Sequence, residues 1–174
     1  MKKTISILAI LLSVGSIGAK AQLKKDACAL LTDAQINKTL GCNVKQAGEA
    51  MMKGIRCVHK AADFKTEATL EYYDWHSAQT AADMLKLGFD ENKKNITAGK
   101  KAVGVYTTIK EFTEGGKNAC IMTGPGDITS NGNLVRIQFV LGTSIVTFDT
   151  KGIDMAKVAP KAKEIYKAIV DNNK

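Results

Sequence analysis

The chain contains few of the residues that build metal sites. Histidine occurs only twice, at His59 and His76, and none of the four cysteines belongs to a Cys-x-x-Cys pair. Structural zinc sites usually cluster such ligands at short spacing, so the sequence disfavours zinc. The two histidines with Asp74 as a carboxylate are too sparse to indicate another metal. We therefore expect no metal and no cofactor.

Long apolar runs are also scarce, and the one that occurs lies at the N-terminus. Lys2 and Lys3 precede an apolar run over residues 5–14, and residues 19–21 read Ala-Lys-Ala. This order of a charged, an apolar and a small-residue region is typical of a secretory signal peptide. The run is shorter than the roughly 20 residues that cross a bilayer. We predict a signal peptide over residues 1–21.

The remaining 153 residues, 22–174, suffice for a single exported domain, in the periplasm or outside the cell. Removing Lys2, Lys3 and Lys20 lowers the formal net charge from +8 to +5. Export argues against nucleic acid as a partner. The residual charge could attract anionic lipid or acidic glycan, or could simply keep the protein soluble. We expect a monomer without a transmembrane segment, whose partner is an envelope protein, a glycan or a small ligand.

The cysteines indicate a covalent framework. All four, Cys28, Cys42, Cys57 and Cys120, follow the predicted signal peptide. An even number of cysteines in an exported chain is typical of disulfides. Four cysteines allow three pairings, and their spacing does not choose among them. A catalytic cysteine is disfavoured because a nucleophile needs a free thiol beside an oriented base. We predict two disulfides.

Periodicity and turn chemistry predict the secondary structure. A capping box, Thr32 to Gln35, begins a helix that Gly41 ends. A second helix is predicted over 77–87, ending at Gly88 or, if it frays onward, at Lys94. A solvated loop is predicted over 90–101 and an amphipathic helix over 155–169. Strands are predicted near 54–60, 67–73, 103–109 and 118–123, and the alternation along 67–73 sets Glu67, Thr69, Glu71 and Tyr73 on one face. Together they predict an α+β fold, with a largely antiparallel sheet and helices packed mainly on one face.

The last two strands form the clearest tertiary prediction. Leu141-Gly142-Thr143-Ser144 places glycine first in a two-residue hairpin loop, as a type II′ turn requires. Pairing outward from this turn sets Phe139 opposite Val146 on an apolar face. It sets Arg136 opposite Asp149 on the other face, as an exposed ion pair worth at most about 1 kcal/mol.

The N-terminal helix carries a family resemblance. Residues 26–36, Asp-Ala-Cys-Ala-Leu-Leu-Thr-Asp-Ala-Gln-Ile, resemble the opening of small exported bacterial domains of the DUF3558 type, in which a strand cysteine follows, here Cys57. The element order is similar to that of LpqN-like lipoproteins and the PsbP/Mog1-like α+β group. The chain departs from the pattern in lacking a lipobox and in carrying Cys42 and Cys120. The resemblance implies bridges Cys28–Cys57 and Cys42–Cys120 and implies no catalytic residues.

One aromatic cluster stands where a strand passes into a helix. The candidate ligand-binding residues are Tyr73, Asp74, Trp75 and His76. The three rings could stack on a sugar or another flat ligand, with Asp74 accepting a hydrogen bond. Alternatively, Tyr72 and Trp75 fill the junction between sheet and helix, and Asp74 or Ser77 caps the helix.

The absence of a recognisable catalytic motif shapes the functional hypothesis. We hypothesise an exported, disulfide-stabilised, non-enzymatic binding or accessory domain of the bacterial envelope. The alternative is a small envelope hydrolase that uses residues near Asp74 and His76.

Overall fold

The computed structural model describes residues 23–103, 105–125 and 133–174. The predicted signal peptide lies outside the described residues, so its presence and its cleavage stay predictions.

Along the described chain, two short helices precede three strands, one long helix and four further strands, and two helices end the chain. The helices are α1 (Ala27–Leu30), α2 (Asp33–Leu40), α3 (Ala78–Thr97), α4 (Met155–Val158) and α5 (Ala162–Asn172), with 3-10 turns at Thr113–Gly115 and Ala159–Lys161. The strands are β1 (Lys45–Gln46), β2 (Arg56–Lys60), β3 (Glu67–Asp74), β4 (Thr108–Glu111), β5 (Cys120–Gly124), β6 (Leu134–Leu141) and β7 (Ser144–Lys151). The α+β class is confirmed.

The strands form one antiparallel sheet in the order β1-β2-β3-β7-β6-β5-β4. The β6–β7 hairpin has the predicted register, with Leu141 opposite Ser144 and Phe139 opposite Val146. Gly142 adopts a φ of 65° at the first turn position, a conformation that glycine reaches without steric cost. The central strands β3 and β7 therefore bring together segments that are far apart in sequence.

The main core lies between one face of the sheet and helices α1, α2 and α5. Phe139 and Phe148 are fully buried on this face, and Tyr166 from α5 packs its ring edge-on against Phe139, with 4.9 Å between ring centroids. The predicted capping box begins α2, because the Thr32 hydroxyl accepts from the Gln35 backbone and the Gln35 amide oxygen accepts from the Thr32 backbone. These helices follow the predicted one-sided packing.

The longest helix, α3, departs from that prediction by lying on the opposite face. Its Phe89 packs with Tyr106, Cys120 and Met122 in a second, smaller apolar cluster. The helix also runs to Thr97 rather than ending near Gly88, so the predicted loop over 90–101 is wrong for most of its length. Buried Phe89 and half-buried Ile96 continue the apolar stripe beyond the glycine, and their tertiary contacts outweigh its low helix propensity.

The disulfide prediction is half right. Cys28 and Cys57 are bonded and join α1 to β2, whereas Cys42 and Cys120 are free thiols. Cys120 pairs in register with Gln138, so it faces the α3 side of the sheet, whereas Cys42 packs at the rim of the main core. The second predicted bridge is wrong because the sheet lies between its two sulfur atoms.

Candidate functional site

The α3 side of the sheet is only partly covered. Helix α3 packs against β4, β6 and β7. It does not cover the side chains that β2, β3 and part of β7 present on this side of the sheet. We call this uncovered area the open face. It contains a hollow of about 340 Å³, whose charged lining residues are Arg56, Glu67, Glu71, Arg136, Asp149 and Lys151. The hollow is the candidate binding site.

Strand register explains why the open face is polar. Successive antiparallel partners place unlike charges side by side, because Arg56 lies opposite Glu71 and Lys60 opposite Glu67. Their closest nitrogen–oxygen distances are 3.7 Å and 3.5 Å respectively. These pairs are partly exposed, and such pairs contribute little to stability. They therefore leave their charges accessible to a ligand.

The wall of the hollow nearest α3 has shorter polar contacts than the two ion pairs above. Arg136 Nε and Nη2 each donate to the Asp149 carboxylate at 2.7 Å, and the Tyr106 hydroxyl donates to the same carboxylate at 3.3 Å. The Arg136 guanidinium also stands over the Tyr106 ring, 5.3 Å from its centroid. Burial and the negative charge of Asp149 raise the pKa of Tyr106. This cluster is less exposed than the sequence predicts, and it holds a cation and an anion in fixed positions.

Unused hydrogen-bonding capacity remains in the hollow. Across the described residues, the Lys151 ammonium has no ion-pair partner, although its strand neighbour in register is Glu67. The Arg56 Nε is buried and lacks a hydrogen-bond partner within the same part of the chain. A ligand cannot reach this buried Nε, but an anionic group could pair with the Lys151 ammonium and with the partly exposed remainder of the Arg56 side chain, which favours a ligand that carries at least one anionic group.

The predicted aromatic cluster borders this open face. Tyr73 follows Glu71 on the same side of β3, so the two lie about 7 Å apart along the strand. Its side chain is 58% exposed and meets Trp75 edge-on, with 5.0 Å between ring centroids. The structure therefore brings two of the predicted ligand-binding residues next to the hollow.

The other two predicted site residues have different surroundings. The Asp74 carboxylate accepts from the Thr143 hydroxyl at 2.6 Å and from the His76 backbone N–H at 2.8 Å. His76 is almost fully exposed, with its Nδ1 3.4 Å from Asp74. Ser77, not Asp74, caps α3 by accepting from the Thr80 backbone. These contacts support a role for Asp74 in holding the β6–β7 turn against the end of β3.

Sequence analysis did not bring the charged residues of the hollow together. The alternation of β3 correctly predicts that Glu67 and Glu71 lie on one side. It does not predict that β7 flanks this strand, because that pairing joins distant parts of the chain. The predicted Arg136–Asp149 pair is the single signal that could have led to the site.

Two further searches bear on function. Over residues 23–103, 105–125 and 133–174, no group of three or more histidine, cysteine or acidic side chains is arranged to hold a metal ion. None of the helices in this part of the chain is both long and apolar enough to span a bilayer.

Comparison with known proteins supports the fold. No protein-family model matches the chain, and no curated protein matches it either. The chain is similar to the crystal structure of the extracellular domain of PknH from Mycobacterium tuberculosis, with 12% sequence identity and a TM-score of 0.56. The match covers 88% of this chain and 97% of that domain. At this identity the likeness shows a shared fold, and membership of the DUF3558 type stays a prediction.

Proposed function

We propose that this chain is an exported binding domain. Its open face binds a small ligand that carries both a positive and a negative charge. The N-terminal pattern of a secretory signal and the Cys28–Cys57 disulfide support export, because structural disulfides belong to oxidising compartments. The shared fold with an extracellular domain is compatible with that location.

The observation that carries the proposal is the mixed charge of an open hollow. Lys151 and Arg56 supply positive groups, while Glu67 and Glu71 supply carboxylates on the neighbouring strand. A zwitterion matches this pattern, because its anionic group can meet the donors while its ammonium meets a carboxylate. A neutral apolar ligand would leave these charges desolvated without partners.

The aromatic pair extends the proposed site. Tyr73 and Trp75 stand at the end of the open face, where an exposed ring can cover a flat part of the ligand. In this proposal the two rings of the predicted cluster contribute binding area, and the charged hollow determines which ligands are accepted.

The hydrolase alternative near Asp74 and His76 receives less support. The Asp74 carboxylate is engaged by Thr143 and by the His76 backbone, and the exposed His76 imidazole lies 3.4 Å from it at the surface. A general base must be within hydrogen-bonding reach of the group that it activates. No described side chain takes the position of a nucleophile beside this imidazole.

Tryptophan fluorescence offers a direct test, because Trp75 is the one tryptophan of the chain. The probes are free amino acids and dipeptides as zwitterions, dicarboxylates as anions, and hexoses as neutral compounds. We expect a saturable change with zwitterions. Lys151→Met and Glu71→Gln should each weaken binding about tenfold, since each removes one charge contact worth about 1.4 kcal/mol.

Lys110→Gln is the matched control, because Lys110 is exposed on β4 and far from the hollow. It should bind as the unmodified protein does. Equal affinity in all variants, or no response to any zwitterion, would refute the proposal.

A further inference from the structure

A second concave region lies at the β1 edge of the sheet and goes beyond the function proposed for the open face. Two hollows of about 270 and 350 Å³ adjoin there and share Asn43 and Ala61 in their walls. One extends past Gly152 to Lys157, and the other runs beside β1 to Phe64. We call the joined hollows the edge groove. A groove made of two adjoining hollows suits an extended chain better than a compact molecule.

Positive charge dominates the edge groove. Lys45 and Lys60 line one end and Lys157 lines the other. Among the described lining residues the single carboxylate is that of Asp154, which already accepts from the Ala156 backbone as the cap of α4. Lys45 and Lys157 have no ion-pair partner in the described part of the chain, whereas Lys60 pairs with Glu67. The groove is therefore complementary to an anion.

An exposed aromatic ring stands at one end of the groove. Phe64 is 76% exposed, although a phenylalanine on a folded surface normally turns inward. Its backbone is left-handed, with a φ of 55°, and its N–H donates to the Ala61 carbonyl at 3.0 Å. The loop is closed by a hydrogen bond from the Ala61 N–H to the Thr66 carbonyl at 2.9 Å. This backbone holds the ring outward, where a flat ligand can stack on it.

The sheet edge itself is poorly suited to a peptide. Strand addition requires a row of free backbone groups, but the Asn37 side chain occupies both polar groups of Val44. Its Oδ1 accepts from the Val44 N–H at 2.7 Å, and its Nδ2 donates to the Val44 carbonyl at 2.9 Å. Only the two residues of β1 remain for pairing. This contact favours a partner recognised through rings and charges.

We propose that the edge groove binds an acidic oligosaccharide composed of uronate units. The carboxylates would pair with Lys45, Lys60 and Lys157, and the apolar face of one sugar ring would lie on Phe64. This site shares no lining residue with the hollow of the open face, although Lys60 pairs with Glu67 of that hollow. The variants described below and those for the open face change neither of these two residues, so the two proposals are tested separately.

A free thiol inside the groove provides the readout. Cys42 lines the groove and is half-buried, whereas Cys120 is fully buried under α3. Neutral iodoacetamide should therefore alkylate Cys42 first in the folded protein. Tetragalacturonic acid at about ten times its Kd should slow this alkylation about tenfold, because a bound chain covers the thiol. Chitotetraose, a neutral chain of equal length, should not slow it.

Variants separate the charge contribution from that of the ring. Lys45→Gln combined with Lys157→Gln should weaken protection about tenfold, since two partly exposed ion pairs together contribute about 1.4 kcal/mol. Phe64→Asn removes the ring with a residue that tolerates the left-handed backbone and should also weaken protection. Lys110→Gln should leave it unchanged.

Three outcomes would overturn the inference. Alkylation that tetragalacturonic acid does not slow would refute the site. Equal protection by chitotetraose would refute the role of the anion. Protection by hexaglutamate without protection by tetragalacturonic acid would assign the groove to an acidic peptide.

Discussion

Asp33 and His59 are joined inside the fold, with 2.6 Å between Asp33 Oδ1 and His59 Nδ1. His59 is fully buried on β2, and Asp33 begins helix α2. The contact connects the capped end of this helix to the strand that also carries disulfide-bonded Cys57. The other ring nitrogen of His59 is buried without a hydrogen-bond partner in the described residues. Asp33 therefore supplies the hydrogen bond that offsets the cost of burying this imidazole.

Replacing Asp33 should therefore lower the free energy of unfolding by more than its partly exposed position suggests. We expect Asp33→Leu to lower the free energy of unfolding by about 1–3 kcal/mol, because it leaves a buried imidazole nitrogen unpaired. Asp33→Asn, which can still accept the hydrogen bond, should cost less. Urea denaturation checks both. Lys38→Leu on the same helix is the control, and a loss for Asp33→Leu no larger than for this control would contradict the interpretation.

The Cys28–Cys57 bridge should be the largest single contribution to stability in this half of the fold. It closes a loop of 29 residues, for which the chain-entropy relation gives about 3.5 kcal/mol. We expect a double Cys28→Ala, Cys57→Ala variant to lose about that much in urea denaturation. Cys42→Ser should lose far less. A thiol titration of the unfolded, unreduced protein should find both Cys42 and Cys120, and the absence of free thiols would show that these two are oxidised after all.

Alkaline pH should destabilise the protein through Cys120. Burial raises the pKa of this thiol from 9.0 to about 12. The unfolded chain releases the proton near pH 9, whereas the folded chain retains it. Between these values the unfolded state binds fewer protons, so the free energy of unfolding falls as pH rises, by about 1.4 kcal/mol per pH unit from this group.

Urea denaturation between pH 8 and 11 measures this slope, and Cys120→Ala should reduce it. Burial also raises the pKa of Tyr106, so part of the decline above pH 10 should persist in the variant. Identical pH profiles for the two proteins would show that the thiol is not protected by folding.

Asp74 and His76 should differ sharply in their effect on stability. Asp74→Ala removes the acceptor for both Thr143 and the His76 backbone, and we expect a loss of about 1–3 kcal/mol. His76→Ala, at an exposed position, should change stability by less than about 0.5 kcal/mol. Thermal denaturation of both variants provides the comparison. A neutral Asp74→Ala would return this carboxylate to the list of candidate functional groups.

Local sequence signals predicted the parts of the fold that local contacts determine. Gly142 and the alternation on both sides of it are sufficient to set the β6–β7 register, because a shift of one residue would reverse every side chain. The α2 capping box is likewise complete within four residues. Both predictions are confirmed.

The incorrect predictions concern features that depend on contacts between residues far apart in the sequence. Helix α3 continues past Gly88 because Tyr106 and Met122, which follow it in sequence, supply a surface for Phe89. The pairing of Cys42 with Cys120 could not be judged without knowing which face of β5 carries Cys120. The open face depends on β7 lying beside β3, a pairing that the sequence of neither strand specifies.

The unequal sizes of the two apolar clusters also bear on motion. Helix α3 is attached through the smaller cluster around Phe89 and Met122, whereas α5 rests on the main core. Segments with fewer buried contacts open at lower free energy than the molecule as a whole. The amides of α3 should therefore exchange with deuterated solvent before those of β3 and β7. Because α3 borders the open face, its opening would widen the candidate site while the sheet floor stays intact.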